Sequence, residues 1–243
     1  MNLLRVGRGG DPNVGSDKMR RLAILLSIIS VAWTGNPQGT LGKTLIFPVE
    51  TDTSYAELTP RKPMNLLAFT LCMRVATELP ENREISLFTY RTQDHDELNL
   101  WQESDGRLSL YLRSSKDGVF FRVPVLGALQ THLCVTWESI SGATALFMDG
   151  RKSLTKIYRK NHQVAGGGRV ILGQDADSFL GKFDSSQSFV GAITDVNMWD
   201  SVLSDSTIKD VSSGIISQTG SIFDWDTESP TVNGNVKIVQ FQQ

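Results

Sequence analysis

Apolar and polar side chains alternate along most of the chain from residue 43 onward, with the period of two that is typical of β-strands. In the clearest run, Leu108, Leu110 and Leu112 are separated by Ser109 and Tyr111. Runs of this kind, bounded by turn residues, predict strands over 43–48, 67–73, 84–90, 97–101, 108–112, 119–125, 131–138, 143–148, 151–159, 170–172, 189–199, 221–225 and 236–241. Many short strands without alternating helices predict an all-β sandwich.

Two local signals add detail to this pattern. Asp149-Gly150 stands between two strand-like runs, and Asp-Gly is a strong signal for a hairpin turn. Ser204 and the polar residues after it have N-cap chemistry, Ile208 and Val211 lie three residues apart, and Gly214 can end a helix. We therefore expect one short helix. We also expect a single domain, because no linker or internal repeat divides the chain beyond residue 40.

The most apolar stretch of the chain lies near its start and has a different character. Met19, Arg20 and Arg21 form a short basic start, residues 22–33 are apolar but too few to span a bilayer, and residues 34–39 are small and polar. This pattern predicts a signal peptide over 19–39 and a secreted, extracellular protein. A buried hydrophobic helix or an uncleaved anchor is the alternative. Residues 1–18 form a Gly-rich N-terminal extension of uncertain status, so translation could start at Met1 or Met19.

Charge and cysteine content fit an extracellular protein. The net charge is −2 and the pI is about 5.9. Because nucleic-acid binding needs a basic face, we predict no nucleic-acid partner. Cys72 and Cys134 are the only cysteines, and an even count in a secreted chain suggests one disulfide. Each lies in an alternating apolar run, so a buried bridge between two strands fits; two buried free thiols are the alternative.

Acidic residues crowd one short stretch, GQDADSFLGKFDSSQ, at residues 173–187. Asp175, Asp177 and Asp184 repel one another unless a cation relieves them, and Ca²⁺ accepts six to eight oxygen ligands. The spacing is not that of an EF-hand, because Phe179 and Leu180 fall where that loop needs a ligand and a glycine. A calcium site here therefore needs oxygens from elsewhere in the chain. A solvated surface loop is the alternative.

Enzyme motifs are missing from the sequence, which contains no GxSxG, no HExxH and no zinc-ligand spacing of its histidines. His132 lies in a predicted strand two residues before Cys134, which indicates a structural rather than a catalytic role. A glycan-cleaving enzyme would need a pair of carboxylates, and nothing singles out a pair within an aromatic cleft. We therefore predict a binding protein and not an enzyme, with a glycan-cleaving enzyme on the same sandwich as an alternative.

Several motifs together resemble the pentraxin family. Residues 132–139, HLCVTWES, are similar to its signature His-x-Cys-x-Ser/Thr-Trp-x-Ser, and segments 47–55, 171–179 and 197–200 match in order and spacing. The resemblance covers residues 41–243, which we interpret as one pentraxin domain. It implies a two-sheet antiparallel, lectin-like jelly roll with one short helix, and a disulfide between Cys72 and Cys134. It also implies a homo-oligomeric ring, usually a pentamer.

The resemblance further implies two Ca²⁺ ions per subunit. By motif position, the ligands from the acidic loop would be Asp175, Asp177, Asp184, Gln187 and the main-chain carbonyl of Ala176.

The family completes this site with an Asp-Asn pair from an earlier loop, which here reads QDHDEL at residues 93–98. Anchoring the match on Glu97-Leu98 gives Asp96 the Asn position and His95 the Asp position. A shift by one residue brings in Asp94 instead. We take Asp96 as the stronger candidate ligand and Asp94 as the weaker one.

The same resemblance indicates what the site binds. Paired ions would bridge to ligand oxygens, so the ligands would be phosphate-bearing or carbohydrate molecules on microbial or damaged-cell surfaces, such as phosphocholine or phosphoethanolamine. Trp101 or Leu100 would form the wall of the ligand pocket, whereas Gly118 falls about where the family can carry a glutamate for choline. Asp149 matches an acidic residue implicated in complement recognition, but Ser212 replaces the tyrosine expected on the helix.

The implied function is a calcium-dependent pattern-recognition protein of innate immunity, of the acute-phase type. A structural or adhesion module that binds calcium only for stability is the alternative.

Overall fold

A computed structural model describes residues 41–113, 116–179 and 181–242 of the chain. The predicted N-terminal extension (1–18) and signal peptide (19–39) lie outside the described residues.

In chain order the strands are β1 (Leu41–Phe47), β2 (Tyr55–Leu58), β3 (Ala68–Ala76), β4 (Ile85–Arg91), β5 (Asp96–Gln102), β6 (Leu108–Tyr111), β7 (Val119–Phe121), β8 (Thr131–Glu138), β9 (Ala143–Met148), β10 (Arg151–Lys152), β11 (Lys156–Ile157), β12 (Arg169–Leu172), β13 (Gly191–Trp199), β14 (Thr231–Asn233) and β15 (Lys237–Gln242). A 3-10 turn (Ser185–Gln187) precedes β13, and the helix α1 (Asp205–Ser212) follows it.

These strands form two antiparallel sheets. Sheet A has the order β10-β9-β8-β3-β13-β1-β15, with β11 also paired to β9, and sheet B has the order β14-β2-β12-β4-β5-β6-β7. Neighbours in each sheet are often distant in sequence, as where β1 pairs with both β13 and β15. The predicted all-β, two-sheet antiparallel jelly-roll sandwich with one short helix is confirmed.

The main hydrophobic core draws side chains from both sheets, for example Phe69 and Trp137 of sheet A and Phe88 of sheet B. Burying a side chain of this size contributes roughly 1.5–3 kcal/mol each. Successive side chains of β5 point alternately toward the core and toward the outer face of sheet B. Leu98 and Leu100 belong to this core, so the residues between and after them project from the outer face of sheet B.

Two predicted strands differ from those observed. The run 151–159 is broken into β10 and β11, because the backbone N–H of Ser153 donates to the carbonyl of Leu146 while its hydroxyl accepts from the N–H of Leu146. Residues 221–225 make only an isolated bridge between Phe223 and Met198. β2 and β14, which pair with each other in sheet B, were not predicted.

The predicted hairpin and helix are both confirmed. Asp149 and Gly150 have φ angles of 50° and 72°, the left-handed values that a tight hairpin turn requires, and they join β9 to β10. The hydroxyl of Ser204 accepts the N–H of Thr207 as the N-cap of α1, and Gly214 follows the helix with φ 68°. Among the described residues, no helix is long and apolar enough to cross a membrane.

The predicted disulfide is confirmed, because Cys72 of β3 and Cys134 of β8 are directly paired across sheet A and bonded to each other. They pack in a second cluster with Phe147, Trp199 and Ile208, which lies between sheet A and α1.

His132 is buried beside this bridge, with its ring 3.8 Å from the Cys134 sulfur. Burial is the main cause that lowers the pKa of His132 to about 4, so the ring is neutral at physiological pH. Since both sulfurs are bonded to each other, His132, Cys72 and Cys134 are not a thiolate metal site.

Candidate metal site

The acidic loop begins where β12 ends and is closed at its base. Gly173 has φ 83°, and a Cβ at this position would lie 2.4 Å from the Phe47 ring, so only glycine fits. The carbonyl of Gly173 accepts the N–H of Phe189 at 3.0 Å. This bond joins the two ends of the loop.

Gln174 anchors the loop to the neighbouring strands. Its buried side-chain amide donates to the carbonyls of Thr51 and Ser54 at 2.6 and 3.1 Å. The main-chain carbonyl of Gln174 accepts hydrogen bonds from the hydroxyls of Ser86 and Thr89 of β4, both at 3.0 Å. These bonds determine where the next residue, Asp175, leaves the strand.

Two further predicted ligands, Asp96 and Asp177, act on Asp175 through their charges, although the carboxylate oxygens of these three residues do not all lie within 4.8 Å of one another. Asp175 lies close enough to Asp96 and Asp177 for both negative charges to disfavour its ionised form. Oδ1 of Asp175 accepts the side-chain amide of Asn99 at 3.0 Å and faces the Thr89 hydroxyl at 3.5 Å. The structure therefore joins a residue of the acidic loop to residues of β4 and β5 that lie at least 76 positions earlier in the chain.

Burial and like charges perturb Asp175 strongly. Burial is the larger cause, followed by Asp96 and Asp177, and together they raise the pKa of Asp175 to about 6, although Arg91 and the Thr89 hydroxyl oppose the shift. A carboxylate in such surroundings gains more than an exposed one when a cation arrives.

Asp184 and Gln187 lie at the other end of the loop. Asp184 is the N-cap of the 3-10 turn, where its Oδ1 accepts the N–H of Ser186 at 2.8 Å, and this bond is the main cause that lowers the pKa of Asp184. Arg83 holds the turn by donating to the carbonyl of Ser185 at 2.7 Å. Within the described residues, no hydrogen bond joins the side chain of Asp184 or Gln187 to Asp175.

Asp96 and Asp94 have different surroundings. Asp96 forms an ion pair with Arg91, and both side chains are largely buried. Asp94 is exposed at the tip of the turn between β4 and β5, where the N–H of Thr92 donates to the carbonyl of His95 at 2.9 Å. Asp96 is therefore paired with a cation and acts on Asp175 through its charge, and it stays a predicted ligand. Asp94 forms no ion pair or hydrogen bond with any residue that the structure describes.

The two residues predicted as a pocket wall lie on opposite faces of β5. Leu100 is a core residue, so a ligand at the surface cannot reach it, and we withdraw it from the wall. Trp101 projects from the outer face, next to Ser109 of β6, and is 8% exposed.

Position 118 is a glycine for a clear structural reason. A Cβ at this position would lie 2.5 Å from the Tyr111 ring, so a side chain here would displace that ring. The Tyr111 hydroxyl donates to Glu103 at 2.9 Å, and the Ser109 hydroxyl donates to the same carboxylate oxygen. A carboxylate is therefore present on this face at Glu103, although position 118 holds none.

The residues of the cluster fit a hard divalent cation. Asp96, Asp175 and Asp177 supply carboxylate oxygens. Calcium prefers oxygen ligands of this type.

Asn99 and Gln174 are the site residues that sequence reasoning missed. Neither is charged, and each stands within or beside an apolar strand run. The available signal was the polar residue itself, because Asn is uncommon within a strand.

We expect Asp96→Asn to weaken calcium binding about tenfold or more, because one unit of ligand charge is lost from a partly desolvated site. Asp94→Asn is the matched control, since it makes the same chemical change two residues away at an exposed position, and we expect a change of less than about twofold. Calorimetric titration of both variants with calcium measures the difference. A larger effect at Asp94 would show that the other register is correct.

The comparisons with known proteins agree with this fold. The family model described as "Pentaxin family" matches residues 43–240. The chain is 54% identical to "C-reactive protein" of Danio rerio over 89% of this chain and 98% of that protein, and 35% identical to "Serum amyloid P-component" of Sus scrofa over 90% of this chain and 97% of that one.

A solved structure, the "native heptameric SAP-like pentraxin from Limulus polyphemus", superposes with a TM-score of 0.71 at 22% identity, over 81% of this chain and 94% of that one. At this identity the likeness shows the fold alone. Together with the match over residues 43–240 and the 54% identical relative, the described sandwich establishes that this chain belongs to the pentaxin (pentraxin) family.

Proposed function

We propose that this protein is a calcium-dependent pattern-recognition protein of innate immunity that binds phosphate-bearing or carbohydrate ligands. The observation that supports the proposal is the half-buried Asp175 at the start of the acidic loop, which accepts a hydrogen bond from Asn99 and feels the charges of Asp96 and Asp177. Membership of a family that includes C-reactive proteins and serum amyloid P-component supports recognition rather than catalysis.

Calcium would be held by Asp96, Asp175 and Asp177, with Asp184, Gln187 and the Ala176 carbonyl from the rest of the loop. Two ions per subunit would share these oxygens. Bound calcium supplies open coordination positions for ligand oxygens, and no proton transfer or bond cleavage is needed. Asp94 remains a less favoured candidate.

The outer face of β5 and β6 lies beside this cluster and would contact the rest of the ligand. Trp101 lies on this face with only its 8% exposed part open to a ligand, and Glu103 offers a carboxylate that Ser109 and Tyr111 already orient. A ligand with a phosphate at the metal and a cationic group beyond it, such as phosphocholine or phosphoethanolamine, has charges that complement these two regions.

We expect the protein to bind phosphoethanolamine or phosphocholine resin in calcium and to elute with EDTA. Sugar resins run in parallel separate carbohydrate from phosphate ligands, and underivatised resin is the control for adsorption. Retention that EDTA does not reverse would contradict the proposal, since the ligand would then not be held through the metal.

A structural or adhesion module is the second candidate, favoured by the burial of Asp175 within the loop base. It predicts a large rise in melting temperature with calcium and no retention on any of these resins. Turnover of a glycan panel that is lost on changing one carboxylate would favour a glycan-cleaving enzyme instead.

The remaining expectations belong to the same proposal. The protein would be secreted after removal of residues 19–39, and it would assemble as a homo-oligomer, most simply a pentamer. Complement binding is supported by Asp149 alone, which the structure uses to cap the strand end by accepting the N–H of His132 at 2.9 Å. The mass of the resin eluate gives the subunit count.

A further inference from the structure

We infer that Asn99 is a positioning residue of the metal site, which holds Asp175 ready to bind the cation; this rests on the proposed function. Asn99 lies in the middle of β5, opposite Thr89 of β4 and Tyr111 of β6, and only 7% of it is exposed. Asparagine is disfavoured within strands, and a buried amide loses its hydration. A polar side chain at this position therefore calls for a specific reason.

The hydrogen bonds of Asn99 are one-sided. Its amide nitrogen donates to Oδ1 of Asp175 at 3.0 Å, whereas its own oxygen has no partner among the described residues. A side-chain amide has two donor hydrogens and an acceptor oxygen. If Asn99 served only stability, a leucine of similar shape would avoid leaving that oxygen buried and unpaired.

The hydrogen bonds to Asp175 also reach only one of its two carboxylate oxygens. Both the Asn99 amide and the Thr89 hydroxyl approach Oδ1, and in the described chain no hydrogen bond reaches Oδ2. The protein thus restrains the carboxylate through one oxygen and leaves the other for a cation.

Residues that hold a ligand in this way affect metal affinity without touching the metal. Mutating such partners typically weakens binding about 10- to 100-fold, because the ligand must then be oriented when the metal arrives. We expect the same for this site.

The test is calcium titration by calorimetry, with thermal melting in EDTA as a second measurement. Asn99→Leu is expected to weaken calcium binding about 10- to 100-fold, while its melting temperature in EDTA stays unchanged or rises. A residue with a merely structural role would give the opposite result, a lower melting temperature with unchanged calcium affinity.

A matched pair of variants separates the role of the hydrogen-bond donor at position 99 from the role of side-chain shape. Asn99→Thr keeps a hydroxyl that can donate to Asp175, whereas Asn99→Val has the same shape without a donor. We expect the threonine variant to bind calcium several-fold more tightly than the valine variant, even if Asn99→Leu folds poorly. Equal affinities for the pair would overturn the role of Asn99.

Failure of the inference differs from failure of the proposed function. If the wild-type protein takes up no calcium, the metal site itself is wrong, and Asn99 has no such role. If the wild-type protein binds calcium and Asn99→Leu binds it equally well, only the role of Asn99 is wrong.

Discussion

Asp175→Asn is expected to stabilise the calcium-free protein at pH 7.5 and to abolish its stabilisation by calcium. The folded protein raises the pKa of Asp175 from 3.8 to about 6, chiefly by burial. The ionised carboxylate therefore destabilises the folded state, by about 1–3 kcal/mol on the linkage relation. Asparagine has nearly the same shape and carries no charge, so it relieves this penalty while removing a metal ligand.

The pH dependence follows from the direction of that shift. Well below pH 3.8 the side chain is protonated in both folded and unfolded states, so wild type and variant should be equally stable with respect to this group. Between pH 4 and 6 the folded wild type binds more protons than the unfolded chain, and its free energy of unfolding falls relative to the variant as pH rises. Well above pH 6 the full difference is present. The calcium affinity of the wild type should instead decrease as the pH falls through 6.

Thermal melting of both proteins in EDTA and in calcium, at pH 4, 5, 6 and 7.5, measures these effects. Asp94→Asn is the control, because it removes one acidic group from an exposed position outside the cluster. If Asp175→Asn melts at a lower temperature than the wild type in EDTA at pH 7.5, the buried carboxylate at position 175 does not destabilise the folded protein, and the prediction is wrong.

Cys72→Ala/Cys134→Ala is expected to lower the free energy of unfolding by about 4 kcal/mol, the chain-entropy value for releasing a loop of this length. The two cysteines are 62 residues apart and close a loop that contains β4 to β7. They also pack against Phe147, Trp199 and Ile208, so the smaller alanines leave space beneath α1.

Urea unfolding of the double variant measures this loss, and calcium titration provides the specificity control. The bridge belongs to sheet A and the carboxylate cluster to sheet B, so calcium affinity should be unchanged while the protein remains folded. A loss of less than 1 kcal/mol would mean that the bridge hardly restricts the unfolded chain. A parallel loss of calcium affinity would mean that the two regions are coupled.

Period-two patterning located most strands because a strand with one buried face must alternate. The patterning was least reliable where burial does not alternate. β14 is largely exposed and β2 has only four residues, so neither has a long enough signal. The run 221–225 is apolar because Ile222 and Phe223 enter the core, but a single bridge to Met198 is all the pairing it makes.

The residues of the candidate site likewise divide into those that the sequence pattern made evident and those that it did not. The acidic residues at 175, 177 and 184 were evident from the sequence, because carboxylates so close together call for a cation or for water. Their partner across the sheet was ambiguous, since the turn at 92–95 allows two registers. In the folded chain the charge of Asp96 acts on Asp175, which favours Asp96 over Asp94 as the proposed ligand.

By itself, the sequence determined the sandwich, the hairpin, the helix and the acidic loop, because each is encoded by neighbouring residues through periodicity, turn chemistry or charge. The tertiary structure alone decided what surrounds Asp175. Asn99, Thr89 and Asp96 reach it from strands that are at least 76 residues away in the chain. It also decided that Leu100 faces the core while Trp101 faces outward, since the face that each occupies depends on which side of β5 the second sheet covers.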